Sequence, residues 1–151
     1  MRSFEFVENK YKKNNESAFM PKRATKNSAG YDFYSPTEVR ILPHTMQMIW
    51  SDVKAKINEN EVLITCVTSG MGKKGLIMAN GIGVIDSDYY GNENNDGNIG
   101  FMLLNLSENE IIIKQGDKIG QGIITNFFAV DNEKEITEVR KGGFGSTVKT
   151  C

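Results

Sequence analysis

Two carboxylates two residues apart, Asp86 and Asp88, follow a glycine-rich apolar run and precede the aromatic pair Tyr89 and Tyr90. A carboxylate can activate a water or support a cation, and an aromatic face can pack on a planar or sugar group. From Asn80 to Gly91 the glycines at 81 and 83 alternate with Ile82 and Val84, the pattern of a short extended segment that another group can approach closely. On a strand, a spacing of two puts both acids on one face. The same residues also suit an ordinary Asp-rich hairpin.

Four other stretches carry residues with chemical potential. Asp32 stands between Tyr31 and Phe33 in Ala29–Ser35, where a carboxylate either meets a cation or sits at a strand end. Thr68-Ser69-Gly70-Met71-Gly72-Lys73-Lys74-Gly75 ends an apolar run in hydroxyls, glycines and two lysines. Free N–H groups, a hydroxyl and nearby cations suit a phosphate, although the spacing is not that of a Walker loop and a basic turn fits as well. Gly116–Gly122 offers Lys118 and Gln121 on a turn entering a strand, and by itself reads as an ordinary turn. Arg140-Lys141-Gly142-Gly143-Phe144-Gly145-Ser146-Thr147 places a ring between glycines, cations ahead and hydroxyls behind, as a segment closing over a planar anionic ligand would. Disorder without function is the competing reading.

The elements that must position these residues are short. Glycine and asparagine each occur 15 times in 151 residues, and no long amphipathic helix is visible. Phe4–Val7, Glu38–Leu42, Gln47–Trp50, Val53–Ile57, Val62–Val67, Leu76–Ala79, Ile99–Leu106, Ile111–Lys114 and Ile119–Phe128 read as strands. Many short strands between frequent turns predict an all-β sandwich or barrel. Residues 1–130 are expected to form the domain, and residues 131–151, charged and then glycine-rich, a mobile C-terminal arm. Asn92–Asn98 contains no apolar residue and is expected to be an unanchored hairpin tip.

A net charge of −1 gives no general field for nucleic acid. No apolar run approaches a membrane span, the start lacks a signal-peptide core, and Cys66 and Cys151 have no metal spacing. A cytoplasmic protein without nucleic-acid or membrane partners, with Cys66 a buried thiol, is the simplest expectation.

In this order the five segments resemble the five motifs of the homotrimeric dUTP pyrophosphatase (dUTPase) family, over about Ala29 to Thr147. Ala-Gly-Tyr-Asp, Gly-Val-Ile-Asp-Ser-Asp-Tyr and Gly-Gly-Phe-Gly-Ser-Thr carry the resemblance most specifically. It implies a distorted jelly-roll fold, a trimer with active sites shared between neighbours, and Mg²⁺-dependent hydrolysis of dUTP to dUMP and pyrophosphate. By position, Asp86 resembles the carboxylate that activates water, and Tyr89 the ring that packs on deoxyribose. Asn80 and the backbone around Gly83 would read the uracil edge. Ser69, Gly70 and Gln121 would hold phosphate oxygens, and Asp32 would act near the metal through water. Phe144 would cap the base, Arg140 would reach the phosphates, and Gly145, Ser146 and Thr147 would grip the terminal one.

The chain departs from the family's pattern where Thr68 and Tyr90 replace arginines, and where Arg140 lies one residue closer than usual to Phe144. Lys73 or Lys74 is the expected substitute for the first of these. The departures suggest a divergent member, by analogy phage- or prophage-encoded. A dCTP deaminase of the same fold is disfavoured by Thr-Ser-Gly and by the retained glycine-rich arm. A catalytically weak, regulatory member docking a protein partner through residues 92–98 is the alternative from another class.

Overall fold

A computed structural model describes residues 1–138, Arg140, Gly142 and Gly143. Among them, eleven strands form four small antiparallel sheets, which stay open and do not close into a barrel. The all-β expectation therefore holds, with sheets packed on one another. The strands are β1 (Ser3–Phe6), β2 (Tyr31–Tyr34), β3 (Val39–Ile41), β4 (Met46–Trp50), β5 (Val53–Lys56) and β6 (Glu61–Cys66). They continue with β7 (Leu76–Met78), β8 (Gly83–Asp86), β9 (Gly100–Asn105), β10 (Ile111–Ile113) and β11 (Lys118–Asn126). The largest sheet runs β2-β11-β6-β8, the next β4-β9-β7, with the pairs β1-β5 and β10-β3 beside them.

Alternation sets the two faces of the strands. In β9, Phe101, Leu103 and Asn105 point inward while Met102 and Leu104 are only partly covered. Phe33 of β2 meets Phe101 of β9 with ring centroids 5.3 Å apart, so the two larger sheets join through an aromatic contact. Leu63, Val53, Ile99 and Ile119 complete a fully buried centre. Gly120 is required there, because a Cβ would come within 2.4 Å of the Phe101 ring and 2.7 Å of the Cys66 carbonyl oxygen.

Three features here differ from the sequence expectation. Tyr31–Tyr34 is a strand, although its central aspartate hides the alternation. Thr68–Lys74 contains the one α-helix among the described residues, α1 (Ser69–Lys73), capped by the Thr68 side chain, which accepts from the Met71 N–H. Cys66 is free and half-buried rather than enclosed. No helix among the described residues is long and apolar enough to cross a membrane.

Candidate active site

The turn between β7 and β8 carries the residues first singled out. Gly81, at φ +77°, closes it by donating to the Met78 carbonyl at 2.9 Å, and Asn80 stands exposed at its corner. β7 belongs to one sheet and β8 to the other, so this turn bridges them at the mouth of a cavity of about 230 Å³. Asn80, Gly83, Asp86, Tyr89 and Arg140 all line that cavity, with Met78 and Met102 at its apolar end. Four of the residues singled out in the third motif thus converge as expected. A Cβ on Gly83 would lie 2.2 Å from Thr65 Oγ1, so only glycine lets β8 run this close to β6.

The two carboxylates do not share a strand face. β8 ends at Asp86, and Ser87–Tyr89 forms a single turn of 3₁₀ helix, so the period of two stops between them. A cation joins them instead. Arg140 is ion-paired with Asp86 through Nη2, and its Nε donates to Asp88 Oδ1 at 2.7 Å. Arg140 was expected on phosphate, and the contacts it makes are with the two acids. The adjoining Gly143 lies against Tyr89, where a Cβ would come 2.6 Å from the ring. Phe144, Gly145, Ser146 and Thr147 lie outside the described residues.

Tyr89 is buried at 5% exposure, and its hydroxyl donates to the Asn98 carbonyl at 2.8 Å. Burial pushes its phenol up, against smaller downward pulls from the Asn95 amide and the Arg140 charge, so it stays neutral near pH 7. The segment Asn92–Asn98 is no loose tip. Asn92, Asn95, Asp96 and Asn98 are buried, and only Glu93 and Asn94 are exposed. Polar pairing replaces the missing apolar anchor: Lys54 Nζ donates to both Asp96 oxygens at 2.9 and 2.8 Å, and Asp52 exchanges bonds with Asn98. Composition could not show this, because the partners come from β5 and the residues before it.

The phosphate-type residues gather elsewhere. Asp32 on β2 faces Gln121 on β11, which faces Cys66 on β6. Asp32 is buried and pairs with Lys118 Nζ at 2.7 Å, a contact that raises the lysine's pKa, chiefly through the hydrogen bond. The Gln121 amide lies over Gly30, where a Cβ would come 2.5 Å from Oε1. Ser69 and Gly70 are exposed at the start of α1, whose first N–H groups lack intrahelical partners. Gly70, Thr68, Lys74 and Lys118 line a second cavity of about 220 Å³. Lys74 rather than Lys73 is thus the lysine of the pair that borders it. Lys118 was read as an ordinary strand residue, and only its ion pair with Asp32 distinguishes it.

The two groups are far apart in one chain. Asp86 is level with Val62 on β6, four residues from Cys66, which is about 13 Å along the strand. Three strand spacings across the sheet from β8 to β2 add about 14 Å in the other direction.

A family model described as dUTPase matches residues 16–148. The deoxyuridine 5'-triphosphate nucleotidohydrolase of Lactococcus lactis subsp. lactis is 39% identical over 149 residues, 97% of this chain and 97% of that protein. That of Oryza sativa is 35% identical over 142 residues, covering 91% of this chain and 79% of that protein. Among solved structures, dUTPase from Streptococcus mutans matches with a TM-score of 0.73 at 33% identity, covering 85% of this chain and 98% of that one. The dUTPase of phage phi11 of S. aureus matches with a TM-score of 0.71 at 23% identity, a likeness of fold covering 91% of this chain and 97% of that one.

Proposed function

The chain belongs to the dUTPase family, and from that membership we propose that it hydrolyses dUTP to dUMP and pyrophosphate at a site containing Asp86 and Tyr89. The observation that carries this reading is the cavity in which Asn80, Gly83, Asp86 and Tyr89 meet. Asp86 takes a proton from water as its oxygen bonds to the α-phosphorus; the bond from that phosphorus to the bridging oxygen breaks, and pyrophosphate leaves. A general base of this kind contributes about 10²–10⁴-fold. Tyr89 packs on the deoxyribose, and Asn80 with the backbone at Gly83 pairs the uracil edge. Cytosine there leaves buried polar groups unpaired, which is how such a pocket rejects it.

Ser69, Gly70, Gln121, Lys74 and Lys118 bind the phosphates. One chain holds Asp32 roughly 19 Å and Gln121 roughly 16 Å from Asp86, by strand spacing, which favours a site that draws the two groups from different chains. That separation supports a trimer whose sites lie between neighbours. Arg140, which stands beside Asp86, reaches the phosphates, and the arm beyond it, with Phe144, Gly145, Ser146 and Thr147, closes the site.

Mg²⁺ fits this arrangement only together with the nucleotide. Among the described residues no three His, Cys, Asp or Glu converge; at the phosphate end Asp32 pairs with Lys118, and Asp117 lines the cavity beside it. One carboxylate plus phosphate oxygens and waters is a donor set that Mg²⁺ accepts, with Asp32 acting through water. When bound, the metal supplies charge neutralisation on the polyphosphate.

The alternative, a weak enzyme docking a protein through residues 92–98, loses its surface, since only Glu93 and Asn94 of that segment are exposed. Pyrophosphate release measured in parallel on dUTP, dCTP, dTTP and UTP tests the proposal. Turnover confined to dUTP supports it, and equal turnover of dCTP or none of dUTP contradicts it.

A further inference from the structure

The buried segment Asn92–Asn98 is wired to one side chain of the site. Asn95 Nδ2 donates to the Tyr89 hydroxyl at 2.7 Å, and that hydroxyl donates to the Asn98 carbonyl at 2.8 Å. The phenol therefore has both a donor and an acceptor partner inside the segment. Asn95 is itself held, since its Oδ1 accepts from Asn92 Nδ2 at 2.7 Å and from the Gly97 N–H at 3.1 Å. Asn92 Nδ2 also donates to the Tyr89 carbonyl at 2.7 Å, so backbone and hydroxyl of one residue are gripped by one loop. Gly97 lies directly on that backbone: its φ is +84°, and a Cβ would come 2.8 Å from the Tyr89 carbonyl oxygen. Asn98 is anchored in turn on Asp52, whose N–H donates to Oδ1 at 3.0 Å and whose carboxylate accepts from Nδ2 at 2.8 Å.

A tyrosine ring has two side-chain torsions, and holding its backbone and its hydroxyl fixes the first, and with it the direction of the ring axis and how far the ring reaches into the cavity. A structural tyrosine could be satisfied in the same way, but this ring also lines the cavity beside Asp86 and Asn80. We infer that Asn95 is a positioning residue for sugar specificity: it sets where the Tyr89 ring stands in the cavity, and through it the rejection of a ribose 2′-hydroxyl. The inference rests on the reading of Tyr89 as the sugar-facing ring. Asn95 touches no substrate, and acts through Tyr89.

The test compares kcat and KM for dUTP and UTP in the full chain, in Asn95→Ala, in Tyr89→Phe and in the double variant. The dUTP:UTP ratio of kcat/KM is expected to fall about tenfold in Asn95→Ala and comparably in Tyr89→Phe, with no further fall in the double variant. A residue that only supports the fold would lower the melting temperature and leave the ratio intact. A retained ratio in Asn95→Ala, or losses that add in the double variant, overturns the inference alone. A parent protein with no preference for dUTP over UTP overturns the reading of Tyr89 beneath it. Should Asn95→Ala fail to fold, Tyr89→Phe decides by itself: it removes the hydroxyl and keeps the loop, and an unchanged ratio there also overturns the inference.

Discussion

Arg140 is ion-paired with Asp86, the carboxylate assigned to water activation. The same guanidinium reaches Asp88 at 2.7 Å and is only one-fifth exposed. Phosphate oxygens can also accept two parallel bonds from a guanidinium, so a nucleotide competes with the two acids for this cation. Arg140→Ala is expected to lower kcat/KM for dUTP by roughly 10–100-fold, the scale of one charged hydrogen bond. Steady-state kinetics check this. An unchanged kcat/KM would confine Arg140 to the pair with the acids.

Lys54 and Asp96 form an ion pair with side chains only 10% and 6% exposed, and the Asp96 carboxylate also accepts from the Glu8 N–H at 2.9 Å. Removing one partner strands the other charge in a dry setting. Lys54→Ala is expected to cost about 3–5 kcal/mol of unfolding free energy. Lys54→Met combined with Asp96→Asn is expected to cost clearly less, because no unpaired charge remains, the amide oxygen still accepts from the Glu8 N–H, and Asn tolerates the φ of +59° at this position. Urea unfolding of both variants distinguishes a buried pair from a surface one, for which the single variant would cost under about 1 kcal/mol.

Much of the frame was legible because burial alternates along the strands. Nine runs read as strands from their β-branched and apolar residues are strands β1, β3–β7 and β9–β11, within one or two residues at each end. β2 escaped because Asp32 interrupts Tyr-Asp-Phe-Tyr, and its burial depends on Lys118, which lies 86 positions away. Asn92–Asn98 was misread for a related reason. Polar residues normally mark a solvated turn, and only tertiary partners such as Lys54 and Asp52 can make them a core. In the site, Asn80, Gly83, Asp86 and Tyr89 meet because they are close in sequence. Their distance from Asp32, Gln121, Ser69 and Gly70 could not be read from order along the chain, since it depends on strand register.

Glu61 carries the clearest acid-sensitive contact. Arg2 donates to it at 2.7 and 2.9 Å through Nε and again through Nη2, the Asn58 N–H adds a fourth bond at 2.9 Å, and these hold its carboxyl down to about 2. A carboxyl depressed by folding stabilises the native state fully above its unfolded value, and that stability disappears as pH falls through the folded value. The melting temperature is therefore expected to fall between about pH 4.5 and pH 2, with a shallower fall in Glu61→Gln. Parallel slopes in the two proteins would remove Glu61 from the acid response.

Separation of Asp86 from Gln121 gives a test of shared sites. Asp86→Asn and Gln121→Ala are each expected to lose most activity. Mixing the two inactive proteins under conditions that exchange subunits should restore about a quarter of parent turnover, since a site built from two chains can then draw an intact half from each. No recovery, with subunit exchange verified by mass, would place each site within a single chain.

The most direct measurement is single-turnover release of pyrophosphate from dUTP with Mg²⁺ by the parent protein and by Asp86→Asn. The variant keeps the shape of the side chain and removes its basicity. A fall of at least about 100-fold in the chemical step is expected, with dUTP still bound. Parent-level turnover in Asp86→Asn would contradict the assignment of Asp86 as the base, and absence of pyrophosphate release by the parent protein would contradict the activity itself.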